Sequence, residues 1–171
     1  MASPFFADAH FHKGINQRDN RGIFEKIWTE ISCDLCPKPF IPKEVFFSKS
    51  SRGVIRGFHF QSQPLEISKI VKVISGTILD VSFPVFPTID LGFREFILDE
   101  SSDALCIPSN YAHAFQVISN EATVLYLTDG AYSKRLDSGL HWSSFPNWKE
   151  LPLTVSDRDS NFQRVPNGSV E

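Results

Sequence analysis

Short apolar runs alternating with polar residues recur along this chain, and the densest lies between Arg52 and Phe83. Within it, Gly53–Gln61 sets Val54, Ile55, Phe58 and Phe60 around Arg56 and His59, and Ser68–Phe83 is a β-branched run broken only at Ser75-Gly76. That dipeptide is a turn signal, so the pattern predicts two strands joined by a tight turn. Side chains alternate across a strand, which puts Lys69, Val71 and Val73 on one face and Ile78, Asp80 and Ser82 on another. A lysine and an aspartate inside such runs need partners or a polar cavity, because burying either charge alone is costly. His59 adds a third ionisable group to the same neighbourhood.

Further strands are predicted at Pro4–His12, Val45–Ser48, Phe93–Leu98, Ala104–Ile107, Ala112–Ile118 and Ala122–Thr128. In the last two, His113, Phe115 and Val117 share a face, as do Val124, Tyr126 and Thr128. Ile23, Ile27 and Ile31 recur at helical spacing, so Ile23–Ile31 reads as a short helix, with a bent strand as the alternative. Gln17–Gly22 is a turn by composition, and Cys33–Lys43, with Pro37, Pro39 and Pro42, is loop or sheet edge. Leu140–Leu153 lacks periodicity and the polar end from Val155 is expected to be loop. About eight short strands at close spacing predict an all-β jelly-roll β-sandwich with a few short helices, in a single domain spanning 1–171.

Composition narrows the function. In 171 residues there are 16 Phe, which argues for a filled core, and a net charge of −3, which offers no basic field for nucleic acid. No apolar run is long enough for a membrane helix, and the N-terminus lacks the pattern of a signal peptide. Three cysteines, an odd number, fit a reducing, cytoplasmic compartment better than a disulfide framework. Cys33 and Cys36 form one CxxC, and His10 and His12 one HxH; without further ligands each reads as incidental.

Arg56-Gly57-Phe58-His59-Phe60-Gln61, the strand Lys69–Val73 and Ile107-Pro108 followed by Ala112-His113-Ala114-Phe115 together resemble the dTDP-4-dehydrorhamnose 3,5-epimerase family. The likeness runs from about Asp19 to Asp159, and several motifs in order are far more specific than one. It implies a cupin-type jelly roll, a nucleotide-diphosphate sugar as substrate, no cofactor and no metal. By the same resemblance His59 matches the catalytic base, Asp159 the aspartate that orients it, Tyr126 the general acid, and Lys69 the lysine beside the keto oxygen. Asp80 and His113 match a second polar pair lining the cavity. Arg21 and Phe24 match nucleotide contacts, Arg56 a phosphate-side arginine, Tyr132 the tyrosine stacked on the base, and Arg158 a position near the ligand. The family's exchange of N-terminal strands implies a homodimer, with residues 1–50 supplying exchange strands and nucleotide contacts, and Pro4–Phe11 the aromatic segment exchanged. The tail 154–171 is expected to be partly loop.

This chain departs from the pattern where the family carries Gln-Asp-Asn ahead of the histidine strand: here the residues are Glu44-Val45-Phe46. The nucleotide is therefore open among dTDP, GDP, UDP and CDP. Whether C3, C5 or both are inverted is equally open. The chemistry needs a base near neutral pKa, a cation at the oxygen and an acid on the opposite ring face. An imidazole titrating near about 6.5 suits the first role. The rival readings are a metal-dependent cupin, whose best remaining ligands are His59, Glu66 and His113, and a non-catalytic sugar-nucleotide-binding cupin.

Overall fold

The computed structural model describes residues 8–12, 14–29, 40–86 and 92–165. Among them are twelve strands: β1 (His10–His12), β2 (Ile15–Asp19), β3 (Gly22–Lys26), β4 (Glu44–Ser51), β5 (Ile55–Gln61), β6 (Lys69–Ser75), β7 (Thr77–Pro84), β8 (Arg94–Asp99), β9 (Ala104–Ile107), β10 (Tyr111–Val117), β11 (Glu121–Thr128) and β12 (Asp137–Gly139). Ten of them form two antiparallel five-stranded sheets, ordered β1-β9-β6-β11-β4 and β12-β5-β10-β7-β8. The jelly-roll sandwich expected from the strand pattern is what forms.

The core explains the pattern. Val71, Val73, Leu105, Ile107 and Val124 of the first sheet pack against Ile78, Leu98, Phe115 and Val117 of the second. The outer faces are covered as well. Phe58, Val81, Phe83 and Ala114 lie under Phe145 and Trp148, while Ile70, Cys106 and Leu127 lie under Phe40 and Trp28. Strands covered on both sides read as continuous apolar runs, which is why β7 and β10 carry so few polar residues.

Two expectations need correction. Over Ile23–Thr29 the isoleucine spacing gives no helix, and the alternative reading of a strand holds as far as Lys26. Gly22–Lys26 is instead the second strand of a hairpin with Ile15–Asp19, and Ile27–Thr29 follow without regular structure. Asp19 decides the matter locally, since its carboxylate accepts hydrogen bonds from the Arg21 backbone N–H at 2.8 Å and from the Arg21 guanidinium at 2.6 Å, closing the turn. The hairpin is then anchored by Lys72 of β6, buried and 2.7 Å from Glu25. The C-terminal stretch is the second correction, because Asp157–Ser160 forms a one-turn helix, α1, where loop was expected. Cys33 and Cys36, the Pro4–Ala7 part of the aromatic segment and residues 166–171 lie outside the described residues. No helix among the described residues is long and apolar enough to cross a membrane.

Candidate active site

A single irregularity in β5 sets the site. Opposite β10, His113 pairs with His59 but Phe115 pairs with Arg56, so three residues of β5 answer two of β10. This β-bulge cancels the usual alternation and sets Arg56 and His59 on the same groove, with His59 half-buried and Arg56 exposed. Gly57 sits in it at φ 120°, and a Cβ there would stand 2.5 Å from both the Ala114 Cβ and the His113 carbonyl oxygen. Only glycine fits.

His59 meets a carboxylate brought from the far end of the chain. Ser156 caps α1 by accepting the Asp159 backbone N–H, and this turn holds Asp159 with its side chain buried. His59 Nε2 lies 2.7 Å from Asp159 Oδ1, and the second oxygen accepts the Gly57 N–H at 3.2 Å. Burial pushes the Asp159 carboxyl upward, but the bonds from His59, Gly57 and Ser156 outweigh it and hold the group below its ordinary value. An ionised Asp159 accepts from Nε2–H, leaving Nδ1 of His59 as the basic lone pair. The Phe162 ring flanks the imidazole edge-on at 6.0 Å, in a space that Gly139 leaves open.

Facing His59 across the sandwich are groups of the first sheet. Lys69 Nζ donates to the His59 carbonyl oxygen at 3.1 Å. Burial pushes this ammonium down to about 8, with Asp137 and Asp80 opposing the shift. Tyr126, only 7% exposed, stacks on Phe46 with ring centroids 4.9 Å apart. Burial raises its phenol well above the usual range, so it keeps its proton. His59 thus stands on the second sheet, and Lys69 and Tyr126 on the first.

A cleft of about 350 Å³ opens beside His59 and Lys69, lined also by Phe46, Thr128, Tyr132 and Arg158 among others; Tyr126 lies behind Phe46 and does not line it. A second groove, of about 380 Å³, carries Arg56 and Thr154 and shares His59 and Arg158 with the first. At the mouth, Arg158 approaches Asp137 at 2.6 Å, and the Tyr132 hydroxyl donates to the same carboxylate at 2.8 Å. Arg56 Nε donates to Ser50 Oγ at 2.9 Å.

Not every expected residue joins them. His113 Nε2 and Asp80 Oδ2 are paired at 2.7 Å, but both are buried inside the sandwich and neither lines the cleft. The expectation of a cavity-lining pair is corrected to an interior one, whose charge acts on Lys69 and Tyr126 from behind. Arg21 and Phe24 stand exposed on the β2–β3 hairpin, away from this cleft. Among the described residues no three His, Cys, Asp or Glu side chains gather as metal ligands, so the set His59, Glu66 and His113 is not assembled. Sequence reasoning passed over Asp137 and Gln61. Asp137 sits in a polar stretch without periodicity. Gln61 ends the histidine motif, and its carbonyl accepts the Ser133 N–H at 2.8 Å to fix the Tyr132 segment.

Comparisons with known proteins identify the family. The family model for dTDP-4-dehydrorhamnose 3,5-epimerase matches residues 6–167. A dTDP-4-dehydrorhamnose 3,5-epimerase of Shigella flexneri is 35% identical over 123 residues, covering 68% of each chain. Its counterpart in Methanothermobacter thermautotrophicus is 33% identical over 134 residues, 72% of this chain and 71% of that one. Among solved structures, the Bacillus anthracis enzyme with TDP and pyrophosphate bound has a TM-score of 0.82 at 27% identity, covering 96% of this chain and 98% of that one. The Sulfolobus tokodaii enzyme has a TM-score of 0.79 at 28% identity, covering 87% and 85%. The chain belongs to the dTDP-4-dehydrorhamnose 3,5-epimerase family.

Proposed function

We propose that this protein is an isomerase that inverts C3, C5 or both in a nucleotide-linked 4-keto-6-deoxy sugar, without a cofactor. The observation that carries this reading is the buried Asp159 carboxylate 2.7 Å from His59, which shares a cleft with Lys69, while Tyr126 is stacked on Phe46 of the cleft wall. His59 Nδ1 takes the proton from the carbon next to the ketone, and the C–H electron pair moves onto the C4 oxygen as an enolate. The Lys69 ammonium stabilises that oxyanion, most strongly where water is scarce. Tyr126 then gives its proton to the same carbon from the other face as the ketone re-forms. Imidazolium and phenolate return to their starting states through solvent. Asp159 fixes the tautomer and orientation of the imidazole.

Arg56 and Arg158, on the grooves that meet at His59, are assigned to the diphosphate, because planar guanidinium groups match phosphate geometry. Tyr132 is assigned to the base. Arg21 and Phe24 reach a ligand in this reading only from the other subunit of a homodimer, which their exposed position on the hairpin favours. Catalysis in the cytoplasm belongs to the same reading and is supported by the odd number of cysteines, which suits a reducing compartment.

The test is solvent exchange. Incubation with a nucleotide-linked 4-keto-6-deoxy sugar in deuterium oxide is expected to place deuterium at C3, C5 or both, and His59→Ala to abolish it. Binding of dTDP, GDP, UDP and CDP sugars without exchange above the His59→Ala background would leave a non-catalytic binding protein in its place.

A further inference from the structure

Two carboxylates stand at the mouth of the cleft, and they differ in one respect. Asp137 is neutralised by Arg158 at 2.6 Å. Glu44 lines the same cleft and forms no ion pair among the described residues. One of its oxygens accepts the Tyr132 backbone N–H at 3.0 Å, which spends one of about four acceptor positions on the carboxylate. The Tyr132 ring beside it is 57% exposed and held at both ends, by Glu44 at the backbone and by Asp137 at the hydroxyl. A fixed, open aromatic face next to an unneutralised acceptor is a site for a flat ligand that presents hydrogen-bond donors along one edge.

We infer that Glu44 reads the nucleobase and that the base is guanine, so the substrate is a guanosine-diphosphate sugar; this rests on the assignment of Tyr132 to the base. An ionised carboxylate only accepts. Thymine and uracil present one N–H between two carbonyl oxygens, so either oxygen would face the Glu44 charge. Cytosine and adenine offer an amino group beside a bare ring nitrogen, again an acceptor. Guanine alone places two donors side by side, N1–H and the exocyclic amino group, matching the two oxygens of a carboxylate. A site built around such a pair rejects a ligand lacking it, because its own polar group is then left unpaired. The family's Gln at this position carries an amide, which both donates and accepts and so suits the mixed edge of thymine. Glu44 has lost the donor.

Calorimetric titration of the full-length protein with GDP, CDP, UDP and dTDP tests this without any sugar, so its outcome is independent of whether C3 or C5 protons exchange. GDP is expected to bind at least tenfold more tightly than the other three. Glu44→Gln is expected to weaken GDP at least tenfold while leaving dTDP unchanged or tighter, which also shows the variant is folded. The inference is overturned by equal binding of all four, by a preference for dTDP, by absence of binding to any, or by a GDP-to-dTDP ratio that Glu44→Gln does not move. It is overturned as well if UDP equals GDP and both exceed dTDP, since the discrimination would then follow the ribose 2′-hydroxyl.

Discussion

His59 Nε2 and Asp159 Oδ1 stand 2.7 Å apart although 100 residues separate them in the chain. Two local devices make the pairing: the bulge that places His59 and the one-turn helix that presents Asp159. Replacing Asp159 with Asn keeps the size but gives up the fixed acceptor and its charge. We expect the exchange rate to fall about 10²–10⁴-fold, the range of a general-base contribution, with substrate affinity little changed. A variant matching the parent in rate would show that His59 works alone.

The same carboxylate makes stability depend on acid. Its pKa lies below 3.8 in the folded state, so the unfolded chain binds the proton more readily. The stabilisation is therefore complete above about pH 5 and is lost as pH falls through the folded value. Urea unfolding of the parent and of Asp159→Asn should give a stability difference that shrinks as pH drops from about 5 toward 3. A constant difference would place the origin of the effect elsewhere.

Gly57 tests the bulge itself. Its φ of 120° excludes most side chains, and a methyl there would meet backbone. Gly57→Ala is expected to cost about 1–3 kcal/mol in denaturant unfolding. Because straightening β5 would move His59 relative to Arg56, activity in the folded fraction should fall too. Unchanged stability would mean that the strand tolerates regular pairing.

Much of this was readable from sequence, and the failures have a common cause. The strands β5 to β7 and β9 to β11 announce themselves through alternation and β-branched runs, and the motif around His59 carries the family likeness. Alternation, however, would put Arg56 and His59 on opposite faces. Only the bulge puts them together, and no propensity encodes it beyond a glycine. The charge of Asp80 in an apolar strand called for a partner or a polar cavity, and the family likeness put Asp80 and His113 on the cavity. They found each other instead. Glu44 and Asp137 owe their place at the mouth to neighbours on β11 and β5, contacts that a local reading cannot supply.

Arg21 and Phe24 matter only if a second subunit carries them to the cleft. Light scattering at micromolar concentration should return twice the mass of one chain. Arg21→Ala with Phe24→Ala should weaken nucleotide binding while leaving His59 and its partners in place. A monomer that binds the nucleotide normally would exclude any contribution from the hairpin.

In the proposed mechanism Lys69 sets the alkaline limit. There its ammonium holds the oxyanion, and burial lowers its pKa from 10.5 to about 8. The rate is therefore expected to fall as pH rises through about 8. Between about 8 and 10.5 the unfolded chain holds the proton that the folded one has released, so Lys69 makes stability rise with pH over that window while activity declines. Lys69→Arg keeps a charge that does not titrate there and should remove the alkaline limb, at some cost in rate from its different shape. Lys69→Met should lower the rate about 10²–10³-fold below about pH 8, the gap closing as pH rises above it. A limb that survives in Lys69→Arg would have to belong to another group.

Tyr126 separates proton removal from inversion. Its phenol is buried beside Phe46 and holds its proton tightly, which suits an acid that gives it up only to a developing carbanion. His59 and Lys69 do not need it to form the enolate. In Tyr126→Phe the enolate should still form, and the proton that returns should come from His59 on the original face. Deuterium would then enter C3 or C5 with retained configuration, while the inverted product falls by a general-acid factor of about 10²–10⁴. Loss of the C3 and C5 proton signals in nuclear magnetic resonance reports exchange, and chromatographic separation of the recovered epimers reports inversion. If exchange and inversion fall together, Tyr126 shapes the cleft and the proton reaches the second face from another donor. Exchange that persists while inversion stops assigns the two faces of the sugar to the two sheets of the sandwich.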